Sequence, residues 1–175
     1  MKEPDKKALL QMNTPSYVVD EEKLIRNLEI LRMVEEKSGA HILLAQKAFS
    51  TFACYPLIAK YISGTTASGL YEARLGYEEM GKENHVYAPA YKEEHMKELV
   101  HICDHIIFNS FSQYKKYKYL CKEVSVGIRI NPMFSTQPEH AIYDPCAEGS
   151  RLGVTREQFR DDLFKEGVIE GLHFH

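Results

Sequence analysis

Apolar segments of strand length alternate with helix-patterned segments along nearly the whole chain. The helical pattern is clearest over 23–37, where Leu24 and Leu28 recur at helical spacing, Asp20 is placed to cap the helix and Gly39 to end it. Further helices are predicted near 51–62, 70–80, 92–102, 111–121 and 156–165. Strands are predicted at 41–46, 65–67, 85–88, 105–108, 124–130 and 168–174. Strands separated by helices of about ten residues are typical of βαβ units, so the pattern predicts a parallel sheet.

Six strands are compatible with two architectures. An open doubly wound sheet holds six strands in a chain of this length, whereas a (β/α)8 barrel typically takes about 250 residues. The chain finishes on its sixth predicted strand, Val168 to Phe174. An apolar strand in that position would be an unprotected sheet edge. The pattern leaves both architectures open and predicts that the chain is an interrupted piece of a larger fold.

Composition and charge exclude several classes of protein. The 175 residues are 44% hydrophobic and 27% charged, and the net charge is 22 − 25 = −3, so no strong basic field favours nucleic acid. No apolar run approaches the roughly 20 residues of a membrane span, and no membrane partner is expected. The four cysteines, Cys54, Cys103, Cys121 and Cys146, are too widely separated for a disulfide framework or a zinc knuckle. A reduced, cytoplasmic protein is predicted.

Lys47 is the first candidate for chemistry. It directly follows the predicted strand 41–46, and the carboxyl ends of parallel strands are where such folds place their sites. A partly desolvated lysine amine has a lowered pKa and, when neutral, can form a Schiff base with an aldehyde. The alternative is a strand-end lysine that extends into solvent.

His173 and His175 are spaced i, i+2, so both side chains lie on one face of the predicted sixth strand. Three interpretations compete: a metal-ligand pair, a ring stacked on an aromatic cofactor, or hydrogen-bonded structural histidines. In metal-dependent barrel hydrolases the His-x-His pair closes the first strand, and no other histidine or carboxylate sits in a matching strand-end position here. The sequence therefore predicts no metal site.

Two arginines are further candidates. Arg151 follows the long segment 131–149, and loops of that length in compact domains are usually functional or disordered, although a surface arginine is the simpler alternative. Arg129 alternates with apolar neighbours and would face a barrel lumen, where it needs a partner such as Glu72. No GxGxxG, GxxxxGK[ST] or GxSxG motif supports a nucleotide or serine-hydrolase site.

Eight segments together carry a family resemblance. They are TPSYVVDEEKLIRNLEIL (14–31), LLAQKAFS (43–50), ASGLYEARLG (67–76), VYAPAYK (86–92), FNS (108–110), VGIRINP (126–132), SRLGV (150–154) and GLHFH (171–175). With these segments the chain resembles the fold-type III pyridoxal-phosphate-dependent decarboxylases, which share the alanine-racemase-like barrel. The resemblance implies an α/β fold: strands 1–6 of a partial (β/α)8 TIM barrel over residues 20–175, lacking the C-terminal β-domain. Residues 1–19 would contribute a strand to that β-domain.

The segments YDPCAEGSRLG (143–153) and GLHFH (171–175) refine the resemblance. They are similar to the members that decarboxylate carboxynorspermidine and carboxyspermidine to norspermidine and spermidine in bacterial polyamine biosynthesis. The alternatives are another amino-acid decarboxylase of this family, of the diaminopimelate or ornithine type, and a non-catalytic pyridoxal-phosphate carrier barrel. The carrier is disfavoured because Thr14 to Asp20 resembles the strand that enters the β-domain. An unrelated doubly wound binding domain would require accidental matches.

The resemblance also implies roles for individual residues. Lys47 matches the lysine that forms a Schiff base with pyridoxal phosphate, His173 the histidine that stacks on the pyridine ring, and Arg151 an arginine near that ring. Gln46 departs from the family pattern, since it stands where an apolar residue is more usual, and Thr66 stands where the ornithine-type enzymes have an aspartate. The family further implies a homodimer with shared active sites, whose phosphate-binding and substrate-binding groups lie beyond residue 175 in a remaining C-terminal half. The 175-residue piece alone is expected to be inactive.

Overall fold

The computed structural model describes residues 6–135, 144–165 and 169–175. Its centre is one sheet of six parallel strands in the order β1-β2-β3-β4-β5-β6. The strands are β1 (Leu43–Ala45), β2 (Gly64–Ala67), β3 (Glu83–Tyr87), β4 (His105–Phe108), β5 (Ser125–Arg129) and β6 (Gly171–His173). All six predicted strands are present, with ends that differ by up to three residues. Val168, the first residue of the predicted sixth strand, lies outside the described residues.

Helices occupy each connection between the first five strands. The helices are α1 (Lys6–Leu10), α2 (Glu21–Ser38), α3 (Tyr55–Ile58), α4 (Leu70–Leu75), α5 (Glu93–Ile102), α6 (Phe111–Tyr117) and α7 (Asp161–Lys165). Short 3-10 turns cover Phe52–Cys54 and Arg156–Gln158, and a π turn, Gly76–Met80, extends α4. The helix predicted over 51–62 is therefore shorter and broken, and α1 was not predicted. No helix in the described parts of the chain is long and apolar enough to cross a bilayer.

The consecutive strand order decides between the two architectures left open by the sequence. In a doubly wound sheet the strand order reverses at a switch point, which places helices on both faces. Here every crossover steps in one direction, and right-handed crossovers then put all the helices on one face of the sheet. The result is part of a (β/α)8 barrel, with the other face of the sheet forming its lumen.

The start and end of α2 follow the sequence prediction. The carboxylate of Asp20 accepts a hydrogen bond from the backbone N–H of Lys23 at 3.0 Å, satisfying one free donor of the first helical turn. Gly39 ends the helix in the left-handed conformation (φ 71°), which glycine adopts without steric cost. The buried face of α2 centres on Leu28, which packs in a cluster with Tyr55 and Ile58 of α3.

The larger core lies between the sheet and helices α4 to α6. Alternate strand residues point outward into this core, and Val86, Ile106 and Val126 occupy register-matched positions on three neighbouring strands. Met96 and Leu99 of α5 pack against them with no solvent exposure. The intervening strand residues therefore face the lumen, where the polar candidates lie.

Strands β2 and β3 approach closely at Gly64. A Cβ built on Gly64 would lie 1.9 Å from the backbone carbonyl oxygen of Glu83, a distance that no side chain tolerates. At Gly171 of β6, by contrast, a Cβ would meet only the Cα of Gly127, at 4.0 Å. The position of Glu83 against β2 thus depends on the absence of a side chain at Gly64.

Candidate active site

Lys47 lies at the carboxyl-terminal edge of the sheet, immediately beyond β1. The preceding residue, Gln46, is almost completely buried. Its backbone N–H donates to the carbonyl of Thr66 at 3.2 Å, and its side-chain oxygen accepts from the Tyr55 hydroxyl at 3.2 Å. Gln46, a departure from the family pattern, therefore anchors the turn from which Lys47 leaves the strand. The Lys47 side chain is exposed at this edge.

His173 is the lumen-facing end of β6. It is the register partner of Arg129 on β5, and its ring packs against that of Tyr87, with centroids 5.0 Å apart and the planes inclined by 49°. Burial, then the positive charge of Arg129, and then those of His175 and Lys47 lower the pKa of His173 to about 4. His173 is therefore neutral near pH 7, and Lys47 lies near enough to contribute to that shift.

Arg129 lies in the lumen, as the strand alternation predicts, and is 6% exposed. Its guanidinium carbon is 4.7 Å from the centroid of the Tyr87 ring, a cation–π contact. Glu72, the partner considered from the sequence, does not fill that role, because its carboxylate accepts the backbone N–H of Ser68 at 2.6 Å. Burial raises the pKa of Tyr87, and the charge of Arg129 partly opposes this.

Arg151 is held by its backbone. Asn109, directly after β4, donates its side-chain N–H to the carbonyl of Arg151 at 2.9 Å and accepts the backbone N–H of Gly153 at 2.7 Å. The N–H of Val154 then donates to the carbonyl of Arg129 at 2.9 Å. Segment 151–154 is thus fixed along the ends of β4 and β5. The Arg151 side chain is exposed, and its charge reaches Tyr87.

The side chain of His175 is less buried than that of His173. It is exposed, and its backbone carbonyl accepts the thiol of Cys146 at 3.8 Å. Of the loop 131–149, residues 136–143 lie outside the described residues.

Two residues of this edge, Tyr87 and Asn109, were not singled out individually from the sequence. Tyr87 contacts both His173 and Arg129, and its hydroxyl donates to Asn109 at 2.7 Å. A signal for Tyr87 exists in the chain, because His85 and Tyr87 alternate with buried Asn84 and Val86 and so share the lumen face.

The residues at this edge fit a planar aromatic aldehyde that carries negative charge. The Nδ1 atom of His173 and the Nε atom of Arg129 are buried without a hydrogen-bond partner in the described parts of the chain. Buried polar atoms without partners are uncommon and indicate a missing ligand or water. A neutral imidazole can pack on an aromatic ring, two arginines supply positive charge, and Lys47 supplies a primary amine. Pyridoxal phosphate has all the matching features.

The fold is the barrel of the fold-type III pyridoxal-phosphate-dependent decarboxylases. The chain is similar to the crystal structure of carboxynorspermidine decarboxylase from Campylobacter jejuni in complex with norspermidine: the TM-score is 0.83 at 40% identity, covering 94% of this chain and 41% of that one. A diaminopimelate decarboxylase from M. jannaschi matches with a TM-score of 0.68 at 20% identity, over 96% of this chain and 42% of that one, which shows the shared fold alone.

Sequence relatives agree with the structural ones. The chain is 42% identical over 166 residues to the carboxynorspermidine/carboxyspermidine decarboxylase of Campylobacter jejuni, covering 94% of this chain and 42% of the relative. It is 40% identical over 157 residues to the carboxyaminopropylagmatine decarboxylase of Synechocystis, covering 89% of this chain and 40% of the relative. The chain thus spans about two fifths of the length of the curated relatives it matches. No protein-family model matches the chain.

Proposed function

We propose that this chain forms the lysine-bearing part of a pyridoxal-phosphate-dependent decarboxylase that acts on a carboxylated polyamine. The observation that carries the proposal is the placement of Lys47 and His173 at one edge of a barrel that is 40% identical to carboxynorspermidine decarboxylase. The reaction would convert carboxynorspermidine or carboxyspermidine to norspermidine or spermidine in polyamine biosynthesis.

Within this proposal Lys47, His173 and Arg151 hold the cofactor. Lys47 would bind the cofactor's aldehyde through its amine, His173 would pack on its ring, and Arg151 would supply positive charge nearby. When bound, pyridoxal phosphate supplies a conjugated ring that accepts the electron pair left behind as carbon dioxide departs.

The surrounding residues serve orientation and charge. Tyr87 and Arg129 pack behind His173 and keep its ring on the lumen side of β6. Because the pKa of His173 is lowered to about 4, its ring stays uncharged near pH 7, and a neutral imidazole can pack on an aromatic ring. The buried guanidinium of Arg129 gives this edge a fixed positive charge, which favours binding of an anionic group.

The substrate is tested with a panel of compounds. The full-length enzyme would be assayed for carbon dioxide release from carboxynorspermidine, carboxyspermidine, carboxyaminopropylagmatine, ornithine, arginine and diaminopimelate. We expect the highest kcat/KM with one of the three carboxylated polyamines. A clear preference for diaminopimelate would refute the substrate class and retain the cofactor chemistry. Cofactor binding without decarboxylation of any compound would favour a carrier protein.

We also propose that the enzyme is a cytoplasmic homodimer with shared active sites. Residues 1–19 would contribute a strand to a β-domain. Support comes from the segment before α2, where Tyr17, Val18 and Val19 are all exposed apolar side chains. Residues 1–5 lie outside the described residues. Light scattering of the full-length enzyme should give the mass of a dimer, and Tyr17→Asp should weaken the dimer or the fold. A fully active monomer would contradict the shared-site proposal.

A further inference from the structure

A second polar cluster lies at the opposite, amino-terminal edge of the sheet. Glu83 opens β3, His85 follows two residues later on the same lumen face, and His105 opens β4 as the register partner of His85. None of these side chains is a candidate cofactor residue, although His85 is the last of the charges that lower the pKa of His173. Among residues 6–135, 144–165 and 169–175, this is the one group of three potential metal ligands whose donor atoms lie within 4.8 Å of one another.

The donor atoms of the cluster converge on one carboxylate oxygen. The Nε2 atom of His85 lies 2.6 Å from Oε1 of Glu83, and the Nε2 atom of His105 lies 3.5 Å from the same oxygen. The two imidazole rings are 4.2 Å apart between centroids and inclined by 40°, so both present Nε2 to the same space. Tetrahedral ligands that bind one ion at about 2.0–2.2 Å lie roughly 3.4 Å apart, so the separation between His105 and Glu83 already suits a shared ion. The His85–Glu83 pair is at hydrogen-bond distance and would open slightly to admit the ion.

A third histidine orients the carboxylate. His41, just before β1, places Nδ1 2.6 Å from Oε2 of Glu83, whereas His85 and His105 lie nearest to Oε1. Carboxylates and histidines that ligate metals are usually held by such outer hydrogen bonds, which fix the orientation of the ligating atom. With Oε2 engaged by His41, Oε1 remains directed at His85 and His105.

We propose that Glu83, His85 and His105 form a binding site for a divalent transition metal of the zinc class. Two imidazole nitrogens and one carboxylate oxygen are ligands that zinc prefers, and three protein ligands leave a further position for water. Asp104, whose carboxylate accepts the backbone N–H of Asn84 at 2.8 Å, is a further acidic group at this edge. The bound ion would join β3 to β4 at the base of the barrel.

The alternative is a hydrogen-bonded cluster in which the histidines share protons with Glu83 and bind no metal. The two interpretations differ in the role of His105. Its Nε2 atom is 3.5 Å from the carboxylate of Glu83 and contributes little as a hydrogen-bond donor at that distance. Only the metal site needs this nitrogen. Removal of the His105 ring therefore separates them. The proposal does not depend on the proposed decarboxylase activity.

The test is metal binding by the full-length protein after dialysis against a chelator. Cobalt added as a spectroscopic probe should give visible absorption bands at one equivalent, and zinc should displace it. His105→Ala and Glu83→Gln should each weaken binding at least tenfold, and His41→Ala should weaken it by a smaller factor. His101→Ala, on the exposed surface of α5, is the matched control and should bind as the unmodified protein does.

Circular dichroism would establish that each variant is folded, and Glu83→Gln, which keeps the side-chain shape, decides the test if His105→Ala is unfolded. Failure to bind cobalt or zinc at micromolar concentration would overturn the proposal. Unchanged metal binding by a folded His105→Ala or Glu83→Gln protein would also overturn it. Because the cluster lies at the opposite edge from Lys47, removal of the metal should leave cofactor binding by Lys47 unchanged. The outcome for the metal is therefore distinguishable from that for the decarboxylase.

Discussion

The side-chain oxygen of Asn109 accepts the backbone N–H of Gly153 at 2.7 Å, while its N–H donates to the carbonyl of Arg151 at 2.9 Å. One asparagine therefore holds both ends of the tripeptide that contains a candidate cofactor residue. The same oxygen also accepts the hydroxyl of Tyr87 at 2.7 Å. The segments FNS and SRLGV, which are 40 residues apart in the sequence, act together through this side chain.

Asn109→Ala should release Arg151 and weaken cofactor affinity. Losing two hydrogen bonds of about 1 kcal/mol each corresponds to a roughly 30-fold increase in the Kd for pyridoxal phosphate. The Kd would be measured by fluorescence titration of the apo-protein. Ser112→Ala, an exposed change on α6, is the control and should leave the Kd unaltered. Equal affinity in Asn109→Ala and the unmodified protein would contradict a role for Asn109 in positioning Arg151.

Arg129→Met should raise the pKa of His173. After burial, the positive charge of Arg129 is the largest cause of the lowered pKa, and methionine retains much of the buried volume without the charge. The imidazole would be titrated by NMR in the apo-protein. Arg151→Met should shift this pKa much less, because Arg151 is exposed and is not among the charges acting on His173. Equal shifts in both variants would show that the contact between strands β5 and β6 is not the cause.

The folded state should lose stability as the pH falls from about 6.5 towards 4. The unfolded His173 binds a proton near its ordinary pKa, whereas the folded residue does so only near pH 4, so between these values the unfolded chain binds more protons. Above about pH 6.5 this contribution is absent. Urea unfolding across the range should therefore show a weaker pH dependence in His173→Gln. His101→Gln, on the exposed surface of α5, should retain the dependence of the unmodified protein.

Gly64→Ala should destabilise the protein. Its Cβ would overlap the backbone of Glu83, which cannot move as a flexible side chain can, and overpacking of this kind costs about 1–3 kcal/mol. The free energy of unfolding would be measured in urea. Gly171→Ala places the same methyl group in ordinary contact on β6 and is the control, with an expected change within about 0.5 kcal/mol. A smaller loss in Gly64→Ala than in Gly171→Ala would contradict the close approach of β2 and β3.

The sequence predicted the parallel strands well because their apolar residues are buried against helices. The bounds of β4, 105–108, coincide with the prediction. The start of β3 was missed, because Glu83 and Asn84 are polar. Only the fold shows that Asn84 is buried and that its side chain donates to the carbonyls of Ala73 and Ile102. The strand order could not be read from the pattern, because both architectures have the same alternation of strands and helices.

The candidate site could also be predicted from the sequence only in part. Lys47 and His173 could be chosen from strand-end position and motif, because each is adjacent in sequence to a recognisable strand. The contacts of Arg129 depend on which strands are neighbours, and the sequence suggested Glu72 where the structure has Tyr87. The cluster of Glu83 with His85 and His105 was missed for the same reason, since β3 and β4 bring these residues together only through their register.

The central claim is that Lys47 binds the cofactor, and covalent mapping tests it most directly. The full-length protein would be saturated with pyridoxal phosphate, reduced with borohydride, digested and analysed by mass spectrometry. We expect the label on Lys47, and we expect Lys47→Ala to lose the cofactor absorbance while its circular dichroism stays unchanged. A label on another lysine, with Lys47 unmodified, would contradict the account.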